Sequence, residues 1–385
     1  MRGTGVFLTA PRILMGPGSI NGIGREVHRL EGHRVMMVTD RGVAGAGLLE
    51  PVRVALEEAG IEYGVFDRVE PEPRIRVVDD CLEEVRRLRP DILIGIGGGS
   101  SIDIAKSAAV MSTNEGKVGD YFGTDLVGRP GLPTIMVPTT AGTGSEVTPV
   151  AILSDEDEGL KKGVVSPHLV PRVALLDPEL TLGLPPHITA STGMDALCHA
   201  IESFTSINAT SLTDLLASRA MEVIYGSIRA AYAGGRDLEA RSSMLEGSLL
   251  AGMAFGNAGT TAVHAFSYPI GAGFHIPHGL ANAIMLPHVM RFNISGNPEK
   301  FARVANALGL PTDGMDDLEA SETAVRAMEK LAGELGVARR LSEFGVEEKD
   351  VARLSAALMK VTRNLSNNPR AVTLEDAEVL YRKAL

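Results

Sequence analysis

Residues 90–106, Pro-Asp-Ile-Leu-Ile-Gly-Ile-Gly-Gly-Gly-Ser-Ser-Ile-Asp-Ile-Ala-Lys, constrain this chain more than any other stretch. An apolar run ends in glycines, and a helical pattern begins at once. Glycine lets a backbone approach an anion closely and take positive φ. A helix N-terminus behind it adds free N–H groups and the positive end of a dipole, so the passage is suited to a pyrophosphate. Ser100 is expected to cap that helix. The spacing is not G-x-G-x-x-G, because serine holds the last position, and the carboxylate that ends a neighbouring apolar run, Asp40, lies earlier in the chain. That order points to a dinucleotide fold wired differently from the standard unit.

The first 180 residues repeat the same alternation. Strands are expected at 33–40, 62–66, 91–96 and 134–138, and helices at 48–59, 77–88 and 101–111, with an added strand over 7–15. Continuous apolar strands alternating with amphipathic helices indicate a mostly parallel sheet covered on both faces. After Leu-Gly-Leu-Pro-Pro-His (182–187) the period becomes helical, over 189–205, 212–233, 238–253, 280–292 and 299–308. Two prolines mark the change. The expected organisation is an α/β domain over 1–183 and an all-helical domain over 184–385.

The net charge of −11 argues against non-specific nucleic-acid binding. Two distant cysteines, Cys81 and Cys198, give no disulfide framework and fit a reducing, cytoplasmic setting. The opening residues lack a sustained apolar core, so no signal peptide is expected, and no run is long enough to span a membrane.

A second set of residues carries different chemistry. Asp195 and His199 are four apart on a helical pattern, which advances about 400° and puts both on one face. His264 and His278 flank a Gly- and Pro-containing stretch that can fold two imidazoles toward one point. Three imidazoles and a carboxylate make a nitrogen/oxygen site for a divalent transition metal, provided that the two pairs meet. Cys198 points about 100° away from its neighbour His199 on a helix and reads as packing material. A further polar loop, Pro-Thr-Thr-Ala-Gly-Thr-Gly-Ser-Glu (138–146), suits contact with a ribose or a nicotinamide. Phe255, Phe266 and Phe274 are candidates for an apolar pocket or for core.

The blocks 97–106, 138–146, 193–202 and 264–279, in this order, resemble the iron-containing (group III) alcohol dehydrogenase family, and the resemblance spans essentially the whole chain. It implies a dehydroquinate synthase-like fold, with an α/β dinucleotide-binding domain, an all-helical domain and an active site in the cleft between them. Position by position it implies Asp195, His199, His264 and His278 as metal ligands, and Gly97, Gly98, Gly99 and Ser100 as the pyrophosphate loop. Thr139, Thr140 and Thr143 fall on the nicotinamide side, Asp40 at the adenosine ribose, and Asp103 and Lys161 in the cofactor cleft, with Lys162 as the neighbouring alternative. Two positions depart from the family pattern: Tyr268 stands where many members carry histidine, and Glu72 where members often carry asparagine. His275, three residues before His278, is an alternative imidazole close to the metal.

The expected reaction is hydride transfer between a small alcohol or aldehyde and a nicotinamide. A divalent ion would acidify the alcohol or polarise the aldehyde, and His275, Tyr268 and the cofactor ribose hydroxyls are candidates for moving the proton. Fe²⁺ follows from the resemblance, and Zn²⁺, Mn²⁺, Co²⁺ or Ni²⁺ suit the same donors. NAD is expected over NADP, because Asp40 and Glu72 would repel a 2′-phosphate. The resemblance and an N-terminal strand in need of an edge imply a homodimer or larger assembly. Two other readings are a hydroxyacid–oxoacid transhydrogenase, suggested by Ser-Tyr-Pro-Ile (267–270), and a non-catalytic nucleotide-binding or assembly protein on the same fold.

Overall fold

The computed structural model describes residues 5–156 and 160–385. The chain divides into two compact units, one of residues 7–140 and 144–183, the other of 1–6, 141–143 and 184–385.

Among the described residues, the first unit is built on nine strands: β1 (Ile13–Met15), β2 (Arg34–Asp40), β3 (Glu62–Val69), β4 (Ile92–Gly97), β5 (Gly123–Thr124), β6 (Thr134–Pro138), β7 (Val150–Asp155), β8 (Leu160–Val165) and β9 (Val173–Leu176). Six of them form one sheet in the order β1-β9-β6-β4-β2-β3, with every pairing parallel. Successive side chains of a strand point to opposite faces, and in β2 both sets are buried. Met36 and Val38 join Leu93, Met136 and the helix Ile75–Leu88 in one core. Val35 and Met37 join Ile94, Val137, Leu175 and residues of the helices Ile23–Arg29 and Glu50–Glu58 in the other. Burial on both faces is why these strands read as unbroken apolar runs.

The structure corrects several expected elements. Only Ile13–Met15 of the opening segment is strand, and it forms the edge of the large sheet beside β9. A second, three-stranded sheet, β5-β8-β7, was not legible in the sequence; β7 and β8 pair antiparallel. Its strands are short and half-buried, so they lack the continuous apolar signal.

The second unit contains no strand among the described residues. Its helices include Pro186–Thr205, Ser211–Ala233, Leu238–Ala258, Ala262–Phe274 and His278–Asn293. Pro186 occupies the first turn of its helix, where a missing N–H costs nothing, so the two prolines start an element as well as ending the α/β pattern. The stretch between His264 and His278 is helix as far as Phe274, with Pro269 inside it. The turn is therefore only His275–Pro277, shorter than the Gly/Pro composition suggested, and His275 takes φ 56° at the helix C-cap. No helix of the described residues is long and apolar enough to cross a membrane.

Candidate functional site

In the first unit, three neighbouring strands deliver their C-terminal ends side by side, the place where open parallel sheets take ligands. β4 ends at Gly97, paired with Pro138 of β6, and Thr139 N–H donates to Gly97 O at 2.9 Å. β2 ends at Asp40, whose Oδ1 accepts from Val43 N–H at 2.9 Å and so caps the short helix Arg41–Gly45. Ser101 Oγ lies 3.4 Å from Asp40 Oδ2. Gly97 has φ 147°, and a Cβ there would fall 2.6 Å from Ser101 Oγ, so only glycine suits the turn.

The helix behind this turn is Gly99–Met111, with Gly98 as N-cap and no side-chain cap bond. Ser100 therefore lies within the first turn and is not the cap. Without a side chain on the cap residue, the first N–H groups of this helix have no capping oxygen from it, as an anion site needs. Thr139 and Thr140 open the loop after β6, and Thr143 belongs to the segment grouped with the helical unit.

Asp103 and Lys106 form a buried clamp on this loop. Lys106 Nζ donates to Ser145 Oγ (2.8 Å), Ser145 O (2.9 Å), Thr148 O (3.2 Å) and Thr148 Oγ1 (3.3 Å). Asp103 accepts from Ser145 Oγ and from Ile152 N–H at 2.9 Å. Burial lowers the Lys106 ammonium to about 8. Lys106 was given no role from the sequence, because one lysine in the middle of an apolar helix carries no pattern. Lys161 Nζ donates to Glu72 Oε1 at 2.7 Å, so these two residues form an ion pair, and Glu72 carries less net repulsion than its sequence context implied.

Glu146, in the same loop, is 1% exposed, and its Oε1 has no partner. Burial lifts its carboxyl from 4.5 to about 7. The folded chain thus binds this proton more tightly than the unfolded one. Its contribution to stability is complete below about pH 4.5 and is lost as pH rises through about 7. Tm should fall across that window, and Glu146→Gln should reduce the fall by a few degrees. Parallel Tm–pH profiles for the two proteins would contradict this.

In the second unit, Asp195, His199 and His264 offer ligand atoms that all lie within 4.8 Å of one another. Asp195 and His199 come from the Pro186–Thr205 helix, and His264 from Ala262–Phe274. His278 opens the His278–Asn293 helix and places Nε2 3.8 Å from Asp195 Oδ1, as does His264. Gly279 permits this approach, because a Cβ there would fall 2.3 Å from Ser191 O and 3.2 Å from Asp195 Cβ. The structure therefore brings all four residues together.

The hydrogen bonds fix the imidazole edges. A carbonyl or carboxylate can only accept, so His199 Nδ1, 3.3 Å from Gly142 O, carries its hydrogen. His264 Nδ1 donates to Glu202 Oε2 in the same way. Both Nε2 atoms are then lone-pair donors, and they face each other at 3.0 Å. Two acceptors at that distance repel unless a cation lies between them. Two nitrogens bound about 2.1 Å from one ion lie roughly 3.0–3.4 Å apart, so the residues fit a divalent metal. Burial lowers His199 to about 4, keeping it neutral and able to ligate. Burial alone would raise Asp195, but His199, His278, His264 and the Asn282 amide hold it below its ordinary value. Burial raises the Cys198 thiol well above its usual range, so it supplies no thiolate.

Two residues here were not singled out from the sequence. Glu202 lies seven positions after Asp195 on the same helix face. Besides His264, it accepts from Thr261 Oγ1 (2.7 Å), Thr261 N–H (3.0 Å) and Val263 N–H (2.7 Å), so one carboxylate starts the Ala262–Phe274 helix and orients its imidazole. Asn282 lies four positions after His278, and its Nδ2 is 2.7 Å from Asp195 Oδ1. The helical spacing from the expected ligands was the available signal for both.

Tyr268 is buried, and its ring stacks on His278 at 5.9 Å. Burial raises its phenol to about 12. His275 is exposed in the turn. Of the three phenylalanines, Phe255 stacks on His199 at 4.2 Å. Phe266 packs in the core against Tyr381, and Phe274 lies under Arg353.

Residues 10–178 match the family model described as iron-containing alcohol dehydrogenase, and residues 189–385 match that of the Fe-containing alcohol dehydrogenase family, C-terminal. The chain is 41% identical over 370 residues to a sulfoacetaldehyde reductase of Bilophila wadsworthia, covering 96% of each. It is 39% identical over 371 residues to a 1,3-propanediol dehydrogenase of Citrobacter freundii, again covering 96% of each. Among solved structures, a 1,3-propanediol oxidoreductase superposes with a TM-score of 0.97 at 38% identity over 100% of both chains. A sulfoacetaldehyde reductase from Bifidobacterium kashiwanohense in complex with NAD+ superposes with a TM-score of 0.88 at 32% identity, covering 99% of each.

Proposed function

The chain belongs to the iron-containing alcohol dehydrogenase family, and we propose that it interconverts a small alcohol and its aldehyde with NAD(H), using a divalent metal held by Asp195, His199, His264 and His278. The observation that carries this reading is the pair of facing Nε2 lone pairs beside a buried carboxylate. When bound, the metal acts as a Lewis acid on the substrate oxygen, and Fe²⁺ is our assignment over Zn²⁺ by family membership. NAD supplies or accepts the hydride.

The chain's own residues then have separate tasks. Glu202 holds His264 in the tautomer that leaves Nε2 available. Gly97, Gly98, Gly99 and Ser100 receive the pyrophosphate at the start of the Gly99–Met111 helix. Thr139, Thr140 and Thr143 would hold the nicotinamide side of the cofactor, and Asp40 would accept from a ribose hydroxyl. Asp103 and Lys106 hold the loop between them, and the Lys161–Glu72 pair lines the cofactor side. His275, being exposed, exchanges the proton with solvent, whereas the phenol of Tyr268 at about 12 is too weak an acid for that task at neutral pH. His275→Phe should lower kcat and alter its pH profile; an unchanged profile would remove His275 from this role.

We assign residues 1–183 to cofactor binding and 184–385 to metal binding. Two buried, free cysteines suit a cytoplasmic setting. The edge strand β1 and family membership support a homodimer or larger assembly, which a solution mass near the monomer's 40.7 kDa would refute.

The experiment is a substrate panel on the metal-loaded protein, followed by NADH absorbance. The relatives are named for sulfoacetaldehyde, 1,3-propanediol, long-chain alcohols and lactaldehyde, so the panel spans those classes. Turnover of at least one alcohol–aldehyde pair is expected; none with any pair overturns the proposal.

A further inference from the structure

We propose that Asn282 is a positioning residue for the metal ligands, an inference that rests on the metal-site reading above. Its amide nitrogen lies 2.7 Å from Asp195 Oδ1, 3.2 Å from His264 Nε2 and 3.2 Å from His278 Nε2. One nitrogen therefore touches all three ligand-bearing helices, Pro186–Thr205, Ala262–Phe274 and its own, His278–Asn293. The side chain is fully buried, and its Oδ1 has no hydrogen-bond partner. The amide orientation is thus decided by the nitrogen: reversing it would set a carbonyl oxygen against the Asp195 carboxylate, acceptor against acceptor.

Two N–H groups cannot fully satisfy three acceptors. The shortest contact, to Asp195, fixes how that carboxylate rotates. The two imidazole Nε2 atoms, each with a single lone pair that a cation would take, lie at the longer 3.2 Å, so the Asp195 contact is the one that serves a loaded site. Asn282 sits one helical turn after His278 and so shares its face. The close approach allowed at Gly279 lets this face reach the Asp195 helix.

The test is a Co²⁺ titration of the metal-free full chain against a chromophoric chelator, with the visible d–d spectrum as a second readout. Asn282→Leu keeps the volume and removes the donor. It should weaken Co²⁺ binding by about 10–100-fold and shift the spectrum, with the metal-free Tm changed by only a few degrees. If that variant does not fold, Asn282→Ser, too short to reach Asp195, is read in the same titration with the same expectation. Wild-type affinity and spectrum in the folded variant overturn the proposal. His264→Ala, run alongside, separates the two claims. If it also binds Co²⁺ at wild-type strength, the metal site itself is misassigned; if it alone loses binding, only the role of Asn282 falls.

Discussion

His264→Ala and His278→Ala should each emerge with little bound metal and with activity lower by roughly 10³-fold or more. Each substitution removes one of the three imidazoles proposed as donors, from a place with no thiolate to compensate. The two should differ in stability. The His264 ring is buried between Glu202 and His199, whereas the His278 side chain is 27% exposed. Truncating His264 leaves the Glu202 carboxylate without its imidazole partner in a fully buried site, so that variant should also lose several degrees of Tm. Glu202→Gln should have an intermediate effect, because a neutral amide orients the ring less strongly and weakens metal binding by about 10–100-fold. Elemental analysis with chelator competition reads all three variants. Stoichiometric metal at unchanged affinity in both histidine variants would sink the ligand assignment.

Asp40→Gly should abolish most of a preference for NAD over NADP. In wild type the carboxylate is held at the end of β2 by Val43 N–H and lies beside Ser101. It can accept from a ribose 2′-hydroxyl, and it meets a 2′-phosphate as a like charge in a partly desolvated place. Because Lys161 pairs with Glu72, the discrimination rests on Asp40 rather than on both carboxylates. The change in the ratio of kcat/KM values should be at least about tenfold, or 1.4 kcal/mol. Glycine also removes a helix cap, so Asp40→Asn, which can still cap, is the control for stability. A wild-type enzyme that uses NADP equally well would refute this reading, and exposed Arg41 would then be the residue to examine.

The sequence made some parts of this architecture plain and others invisible for physical reasons. β2, β4 and β6 were legible because both faces of each strand are buried, leaving an uninterrupted apolar run. β5, β7 and β8 were not, since two residues, or a half-exposed alternation, barely exceed chance. The four residues proposed as metal ligands stood out only as two pairs; that the pairs meet depends on the packing of three helices and on Gly279, which no local spacing encodes. Glu202 and Asn282 carry helical offsets from those residues but no chemistry of their own until their partners are seen. Lys106 is hidden more deeply, because a buried ammonium needs the Ser145–Thr148 turn folded around it before its position makes sense.

The most direct test of the whole account is NADH oxidation by an aldehyde, measured before and after metal removal. The chain, stripped with a chelator and assayed without oxygen, should lose aldehyde-dependent oxidation and regain it with about one equivalent of Fe²⁺, whereas His264→Ala should regain nothing. A stripped protein that oxidises NADH at the rate of the loaded one would contradict the metal-dependent dehydrogenase described here.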